Sequence, residues 1–176
     1  MKLTEYLDTY KCHYRVVYHK PAYTAEQLAH REGADEKQVA KSVVVEAEGQ
    51  FYLCVLPADR MIDFVSLQEH LHAKEVHLAE EMQIAKLFAD SEIGAEAPFG
   101  KLYNLPTLMD KKLLRDREIV FSAGSHEASI HMPLEEYLRL AGPEIFSFSY
   151  PQWTPPMLNL YLDPFAGEHP DGENLR

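Results

Sequence analysis

Ser42-Val43-Val44-Val45-Glu46-Ala47-Glu48-Gly49-Gln50-Phe51-Tyr52-Leu53-Cys54-Val55-Leu56 makes the first architectural statement in this chain. Its opening is β-branched, Gly49 with Gln50 can reverse the backbone, and an apolar run follows. The stretch therefore predicts two antiparallel strands over residues 42–46 and 51–56. Helical start signals precede it. Thr24-Ala25-Glu26-Gln27 is a capping box, and Gly33 suits a left-handed stop, so a short helix lies between them. Asp35-Glu36-Lys37-Gln38 repeats the start signal, and a second helical turn delivers Lys41 to the mouth of the first strand.

Downstream, Ser66-Leu67-Gln68-Glu69 predicts a helix over residues 67–72, and residues 75–78 alternate like a strand. Met82, Ala85 and Ala89, widened by Ile84 and Phe88, share one helical face over residues 80–89. Residues 118–122 and 128–132 read as strands around Gly124-Ser125-His126. Pro133 opens a helix in which Leu134, Tyr137, Leu138 and Ala141 repeat at i, i+3, i+4 and i+7, and Gly142-Pro143 closes it. Residues 1–20 form a mixed lead-in with a strand-like part at 15–19. Short strands mixed with short helices, without βαβ spacing or a glycine-rich strand-to-helix turn, predict an α+β fold on a mixed, curled sheet and disfavour a doubly wound nucleotide fold.

The 176 residues suit one domain, and 46% hydrophobic residues can form its core despite a net charge of −11. No apolar run approaches the roughly 20 residues of a membrane-spanning helix. Glu5 and Asp8 sit where a signal peptide needs an apolar stretch. Cys12 and Cys54 have no partners at metal-ligand spacing, and the composition reads as a cytoplasmic protein. The acidity works against indiscriminate polyanion binding, so any nucleic-acid contact has to be local. The expected division is a domain over residues 1–142 and a proline- and aromatic-rich arm over 143–176, which includes Trp153. The arm packs on the domain and frays after Gly167.

The chain has no Gly-x-Gly-x-x-Gly, no phosphate-binding loop, no Gly-x-Ser-x-Gly elbow and no paired-cysteine zinc spacing. His126 and His131 are five residues apart, which does not give one helical face to a metal. Three features remain. Lys41 at the rim of a sheet can grip a phosphate or carbonyl oxygen, and the same position also describes an ordinary surface lysine. Gly94 and Gly100 bracket Ala95-Glu96-Ala97-Pro98-Phe99, a loop whose backbone can approach a ligand closely or serve as a plain structural turn. Phe121-Ser122-Ala123-Gly124-Ser125-His126 presents a hydroxyl and an imidazole at a strand end, or is a hairpin with a solvent-facing histidine. Asp110 reads as a helix cap before a catalytic acid.

Taken in order, Tyr23-Thr24-Ala25-Glu26, Val39-Ala40-Lys41-Ser42-Val43-Val44, the Gly94 to Gly100 loop, Asp110 and Phe121-Ser122-Ala123-Gly124-Ser125-His126 resemble the YbaK family. This is the aminoacyl-tRNA editing domain related to the insertion domain of bacterial prolyl-tRNA synthetases. The resemblance covers roughly residues 15–142 and implies a single mixed, barrel-like sheet surrounded by short helices. It implies a freestanding deacylase that hydrolyses the ester of a tRNA mischarged with a small amino acid such as alanine, cysteine or serine. No metal or cofactor takes part, and the tRNA's terminal ribose hydroxyl helps to activate water.

By the same resemblance, Lys41 orients the terminal nucleotide or the aminoacyl carbonyl. Amides around Gly94, Ala95 and Gly100 donate to the carbonyl oxygen, and Pro98 and Phe99 bound a small pocket that acts as a size sieve. Ser125 and His126 hold a water or the ribose, with His126 as a proton shuttle. Ser42, Asp110, Ser122 and Gly124 complete the expected substrate contacts. The implied partners are the 3′ end of aminoacyl-tRNA and an aminoacyl-tRNA synthetase, with no membrane and no DNA. Two other readings compete: a noncatalytic module that binds an aminoacyl-adenosine-like ligand or a synthetase, and a metal hydrolase built on His70, His72, His126 and His131.

Overall fold

The computed structural model describes residues 2–152. In chain order the elements are α1 (Leu3–Thr9), β1 (Arg15–Tyr18), α2 (Ala25–Glu32), β2 (Ala40–Ala47), β3 (Gln50–Pro57), β4 (Arg60–Ile62), α3 (Phe64–Leu71), β5 (Val76–Leu78), α4 (Glu81–Leu87), β6 (Thr107–Asp110), β7 (Glu118–Ser125), β8 (Ala128–Pro133), α5 (Leu134–Ala141), β9 (Glu144–Phe146) and β10 (Ser149–Pro151). Short 3₁₀ helices at Gly100–Tyr103 and Lys111–Arg115 flank β6.

The largest sheet has the order β5-β2-β3-β6-β9 and is mixed: β2 pairs antiparallel with β3 and β5, while β3–β6 and β6–β9 are parallel. Its central strand β3 is apolar on both faces. On β3, Leu53 and Val55 enter the main core with Phe99, Phe121 and Tyr137, whereas Cys54 and Leu56 enter a second core with Leu67 and Phe148. That period of two explains why 51–56 reads as a continuous apolar run rather than an alternating one. The hairpin turns at Glu48 and Gly49, both at positive φ, one residue earlier than the sequence suggests.

The α+β class and the mixed sheet are as expected, but the strands are divided among sheets and the sheet does not close. A separate antiparallel sheet has the order β1-β8-β7, and β10 pairs with β4. The three-stranded sheet meets the five-stranded one at a parallel bridge between Val39 and Val120.

α2 begins at the Thr24 cap and ends at left-handed Gly33, as its capping box predicts. α3 starts three residues before the expected 67, because the Asp63 carboxylate accepts from the Val65 and Ser66 amides and the Ser66 hydroxyl. Ser66 is therefore held by the cap instead of forming it. α1 is absent from the sequence reading, although Leu3, Tyr6 and Leu7 follow helical spacing and are buried. Of the predicted arm, residues 143–152 contribute β9 and β10; Trp153 and the fraying after Gly167 lie outside the described residues.

α2 is tied to β8 by a buried polar cluster. Glu32 accepts from Ser129 Oγ and pairs with His131 Nε2, while His131 Nδ1 lies 3.0 Å from Glu118 and 2.7 Å from Arg15. Burial alone would push His131 down, but its bonds to Glu32 and Glu118 outweigh burial and raise its pKa. Burial works against the Glu32 carboxylate too and is outweighed by His131 and Ser129, which lower it. A raised histidine stabilises the fold below its unfolded value, near 6.5, and loses this as pH rises through the folded value. A lowered carboxylate stabilises above its unfolded value, near 4.5, and loses this as pH falls through the folded one. Their joint contribution therefore peaks between these two unfolded values. Glu32→Ala should cost about 3 kcal/mol there. Urea midpoints at pH 5.5 and 8.5 should show the larger loss at pH 5.5.

Candidate active site

The junction of the two sheets gathers most of the features singled out in the sequence. Val39 and Val120 are buried beneath α2 with Ala22, Leu28, Ala29 and Ala58, and the Val120 amide donates to the Gln38 carbonyl at 3.4 Å. Lys41 and Ser122 each lie two residues beyond this bridge, so strand periodicity puts both on its α2 side.

Lys41 Nζ donates to the Ala58 carbonyl at 3.1 Å and stands 3.7 Å from Glu26 Oε1. Burial lowers the Lys41 pKa, opposed by Glu26, Asp59 and Glu36. The ammonium is thus partly dehydrated, which strengthens its attraction for a developing negative charge, while the neighbouring carboxylates favour its charged form. Beside it opens a cavity of about 540 Å³ lined by Glu26, Glu36, Asp59, Pro151 and Gln152.

The capping box places the other wall. Thr24 Oγ1 accepts from the Gln27 amide at 3.1 Å, and Gln27 Oε1 accepts from the Tyr23 amide at 2.8 Å, fixing Tyr23 and Glu26 at the start of α2. The Tyr23 ring lies 4.9 Å from the His126 ring. His126 Nδ1 is 3.2 Å from the Ala22 carbonyl, and Ala22 donates back to the His126 carbonyl at 2.8 Å. A carbonyl only accepts, so in the neutral ring the network assigns the proton to Nδ1 and the lone pair to Nε2.

Gly94 completes this wall: at φ +88°, a Cβ placed there would lie 3.5 Å from His126 Cε1 and 3.7 Å from the Tyr23 carbonyl. Gly124 ties the loop to the end of β7, donating to the Ala95 carbonyl at 3.0 Å and accepting from the Glu92 amide at 2.9 Å. Ser125 Oγ accepts from the Glu127 amide at 3.2 Å.

The loop amides are otherwise engaged. Gly94 donates to Glu96 Oε1 at 2.8 Å, Ala95 to the Glu92 carbonyl at 2.9 Å, and Gly100 to Thr107 Oγ1 at 3.1 Å. Further expected contacts lie away from the junction. Phe99 is fully buried, edge-on to Tyr6, Phe121 and Tyr137. The Pro98 carbonyl accepts from the Tyr137 hydroxyl at 2.9 Å. Ser42 falls on the strand face opposite Lys41. Asp110 is buried as a cap, accepting from the Lys112 amide at 2.8 Å and the Phe148 amide at 2.9 Å.

Histidines of the metal reading have separate partners: His70 stacks on Phe146 and pairs with Glu144, and His131 pairs with Glu32. Among the described residues, no group of three His, Cys, Asp or Glu stands close enough to hold a metal.

Sequence reasoning overlooked Glu96 as a separate group. It is only 7% exposed, burial raises its pKa, and the Gly94 amide opposes that rise. A glutamate between two alanines gives no sign that it will be buried. A raised carboxyl makes ionisation costly to the fold, a cost absent at low pH and complete above the folded value. Glu96→Gln keeps an acceptor for Gly94 and removes this charge. Its urea midpoint should exceed that of the unmodified protein at pH 8, with the gap closing towards pH 4.

Comparison with known proteins points the same way. The family model described as the aminoacyl-tRNA editing domain matches residues 19–140. The multifunctional Ser/Thr-tRNA deacylase ProXp-y of Escherichia coli K12 is 31% identical over 140 residues, covering 77% of this chain and 83% of that protein. The prolyl-tRNA editing protein ProX of Acetoanaerobium sticklandii is 26% identical over 136 residues, 74% of this chain and 82% of its own length. A crystal structure of a candidate trans-editing enzyme for prolyl tRNA synthetase shares the fold, with a TM-score of 0.75 at 24% identity over 84% of this chain and 94% of that one. Among the described residues, no helix is long and apolar enough to cross a membrane.

Proposed function

This chain belongs to the aminoacyl-tRNA editing domain family, and on that footing we propose that it is a freestanding deacylase acting in the cytoplasm on a tRNA mischarged with a small amino acid. The supporting observation is the convergence of Lys41, His126 and Gly94 around the start of α2. The names of the two relatives support an aminoacyl-tRNA ester as substrate, and the Ser/Thr deacylase favours a hydroxyl-bearing amino acid among small ones.

In this mechanism, water adds to the acyl carbon and the carbonyl oxygen gains negative charge. The bond to the ribose oxygen then breaks, that oxygen takes a proton, and the products are the free amino acid and the tRNA. Lys41 holds the carbonyl oxygen or the terminal nucleotide by a charge-assisted hydrogen bond. His126 Nε2 accepts and returns the proton, aided by the terminal ribose hydroxyl, and no metal takes part. Because Gly94, Ala95 and Gly100 already donate within the protein, Lys41 is assigned the main role in stabilising the oxyanion.

Those engaged amides favour one other reading, a noncatalytic module that holds an aminoacyl-adenosine-like ligand or a synthetase. Incubation with alanyl-, cysteinyl-, seryl- and threonyl-tRNA separates the two. Loss of at least one ester faster than in buffer is expected. Loss at the buffer rate for all four, together with tight binding of a nonhydrolysable aminoacyl-adenosine analogue, would support the module.

A further inference from the structure

A second surface feature adjoins the Lys41 site and has the opposite charge. Lys37, Arg60, Lys112 and Arg115, with Pro57 and Asp59, line a small concavity. They come from three separate parts of the chain: the turn before β2, β4, and the 3₁₀ helix after β6. The fold therefore gathers cations that the sequence scatters. Among the described residues, none of the four has a carboxylate within 4.0 Å, the ion pairs of the chain lying elsewhere. Four cations against one carboxylate is an unusual local balance on a chain whose net charge is −11.

Its position matters as much as its charge. Asp59 lines both this concavity and the one beside Lys41. Ala58, the preceding residue, supplies the carbonyl that Lys41 holds. The two concavities are thus neighbouring stations on one surface, the first acidic around a single half-buried lysine and the second basic. Arg60 is pre-set there, its guanidinium donating to the Ser149 hydroxyl at 2.6 Å and the Ser149 carbonyl at 2.7 Å.

We propose that Lys37, Arg60, Lys112 and Arg115 form a subsite for the backbone phosphates of the single-stranded RNA end whose terminal nucleotide reaches Lys41. This rests on the deacylase reading for the identity of the RNA. The acidic surround of Lys41 repels phosphate, so the strand presents its neutral ester at Lys41 and its phosphates to the basic station. The arrangement orients the strand and confines affinity for polyanions to one patch, leaving the rest of the acidic surface repulsive.

The test uses the full chain with Lys112→Ala/Arg115→Ala, sparing Arg60 because it holds Ser149, and Lys74→Ala/Lys86→Ala as a control of equal charge change. Binding of a non-aminoacylated oligoribonucleotide ending in CCA is followed against salt, independently of any hydrolysis. Hydrolysis is then measured on aminoacyl-tRNA and on aminoacyl-adenosine, which lacks the upstream phosphates. The patch variant should bind the oligonucleotide about 10-fold more weakly at low salt, with a salt slope smaller by about 1 to 2. It should also raise KM for aminoacyl-tRNA, leaving aminoacyl-adenosine turnover and the control variant near the unmodified values.

Unchanged oligonucleotide affinity and slope in the patch variant, or an equal loss in the control, would overturn the proposal even if the chain deacylates tRNA. If no tRNA ester is cleaved but oligonucleotide binding is lost only in the patch variant, the phosphate subsite stands and the deacylase reading falls.

Discussion

Lys41→Met should reduce hydrolysis of the preferred mischarged tRNA by about 100- to 1,000-fold, the range that follows removal of one preorganised donor to a developing oxyanion. The expectation comes from the environment of the ammonium. Burial lowers its pKa against three opposing carboxylates, so the charge is partly stripped of water and acts in a medium of reduced dielectric. Methionine retains the aliphatic stem but leaves the Ala58 carbonyl without its 3.1 Å donor. That loss should cost the fold on the order of 1 kcal/mol, a few degrees in Tm for a domain of this size. A large drop in rate with a small drop in Tm is the expected pattern. Unfolding at ambient temperature would instead make Lys41 a structural residue.

Gly100→Ala and Gly94→Ala should part company just as sharply. A Cβ at Gly100 would come within 2.3 Å of the Leu105 carbonyl oxygen and 2.4 Å of Thr107 Oγ1. One of these is backbone in the turn leading to β6, so relief requires moving the strand that β3 and β9 pair against. Overpacking of this kind costs about 1–3 kcal/mol or more, and thermal melts should show a Tm drop of about 10 °C or failure to fold. At Gly94 a Cβ would meet only ordinary contacts, the nearest being His126 Cε1 at 3.5 Å. The φ of +88° makes alanine unfavourable by about 1–2 kcal/mol. Gly94→Ala should therefore fold and lose rate, because the strained φ shifts the loop that lies against the His126 ring. Equal Tm losses at the two positions would refute this distinction.

Gly94, with Gly124 and Lys41, shows where the sequence was legible. Gly94, Gly124 and Lys41 lie near the surface of the junction, and short motifs placed them because capping boxes and strand runs are local signals. The α2 cap, the β2–β3 hairpin and α5 followed for that reason. Phe99 is different: an aromatic next to a glycine reads as a pocket wall, yet three ring contacts make it core. Asp110 is used by the amide of Phe148, 38 residues away, a pairing no local pattern encodes. The junction of the two sheets depends on the Val39–Val120 bridge, 81 positions apart, and the anion surround of Lys41 draws on Glu26, Glu36 and Asp59 from separate segments. Long-range placement of charge is what the sequence withholds, and it is what sets the chemistry here.

The central claim is that Lys41 on β2 and His126 in the turn between β7 and β8 act on one acyl carbon. A double-mutant cycle in single-turnover hydrolysis of a small-aminoacyl tRNA, using Lys41→Met, His126→Ala and the pair, tests this most directly. The account predicts strong coupling, with the double variant little slower than the slower single variant. Rate losses that simply multiply, or a His126→Ala rate equal to that of the unmodified chain, would contradict it.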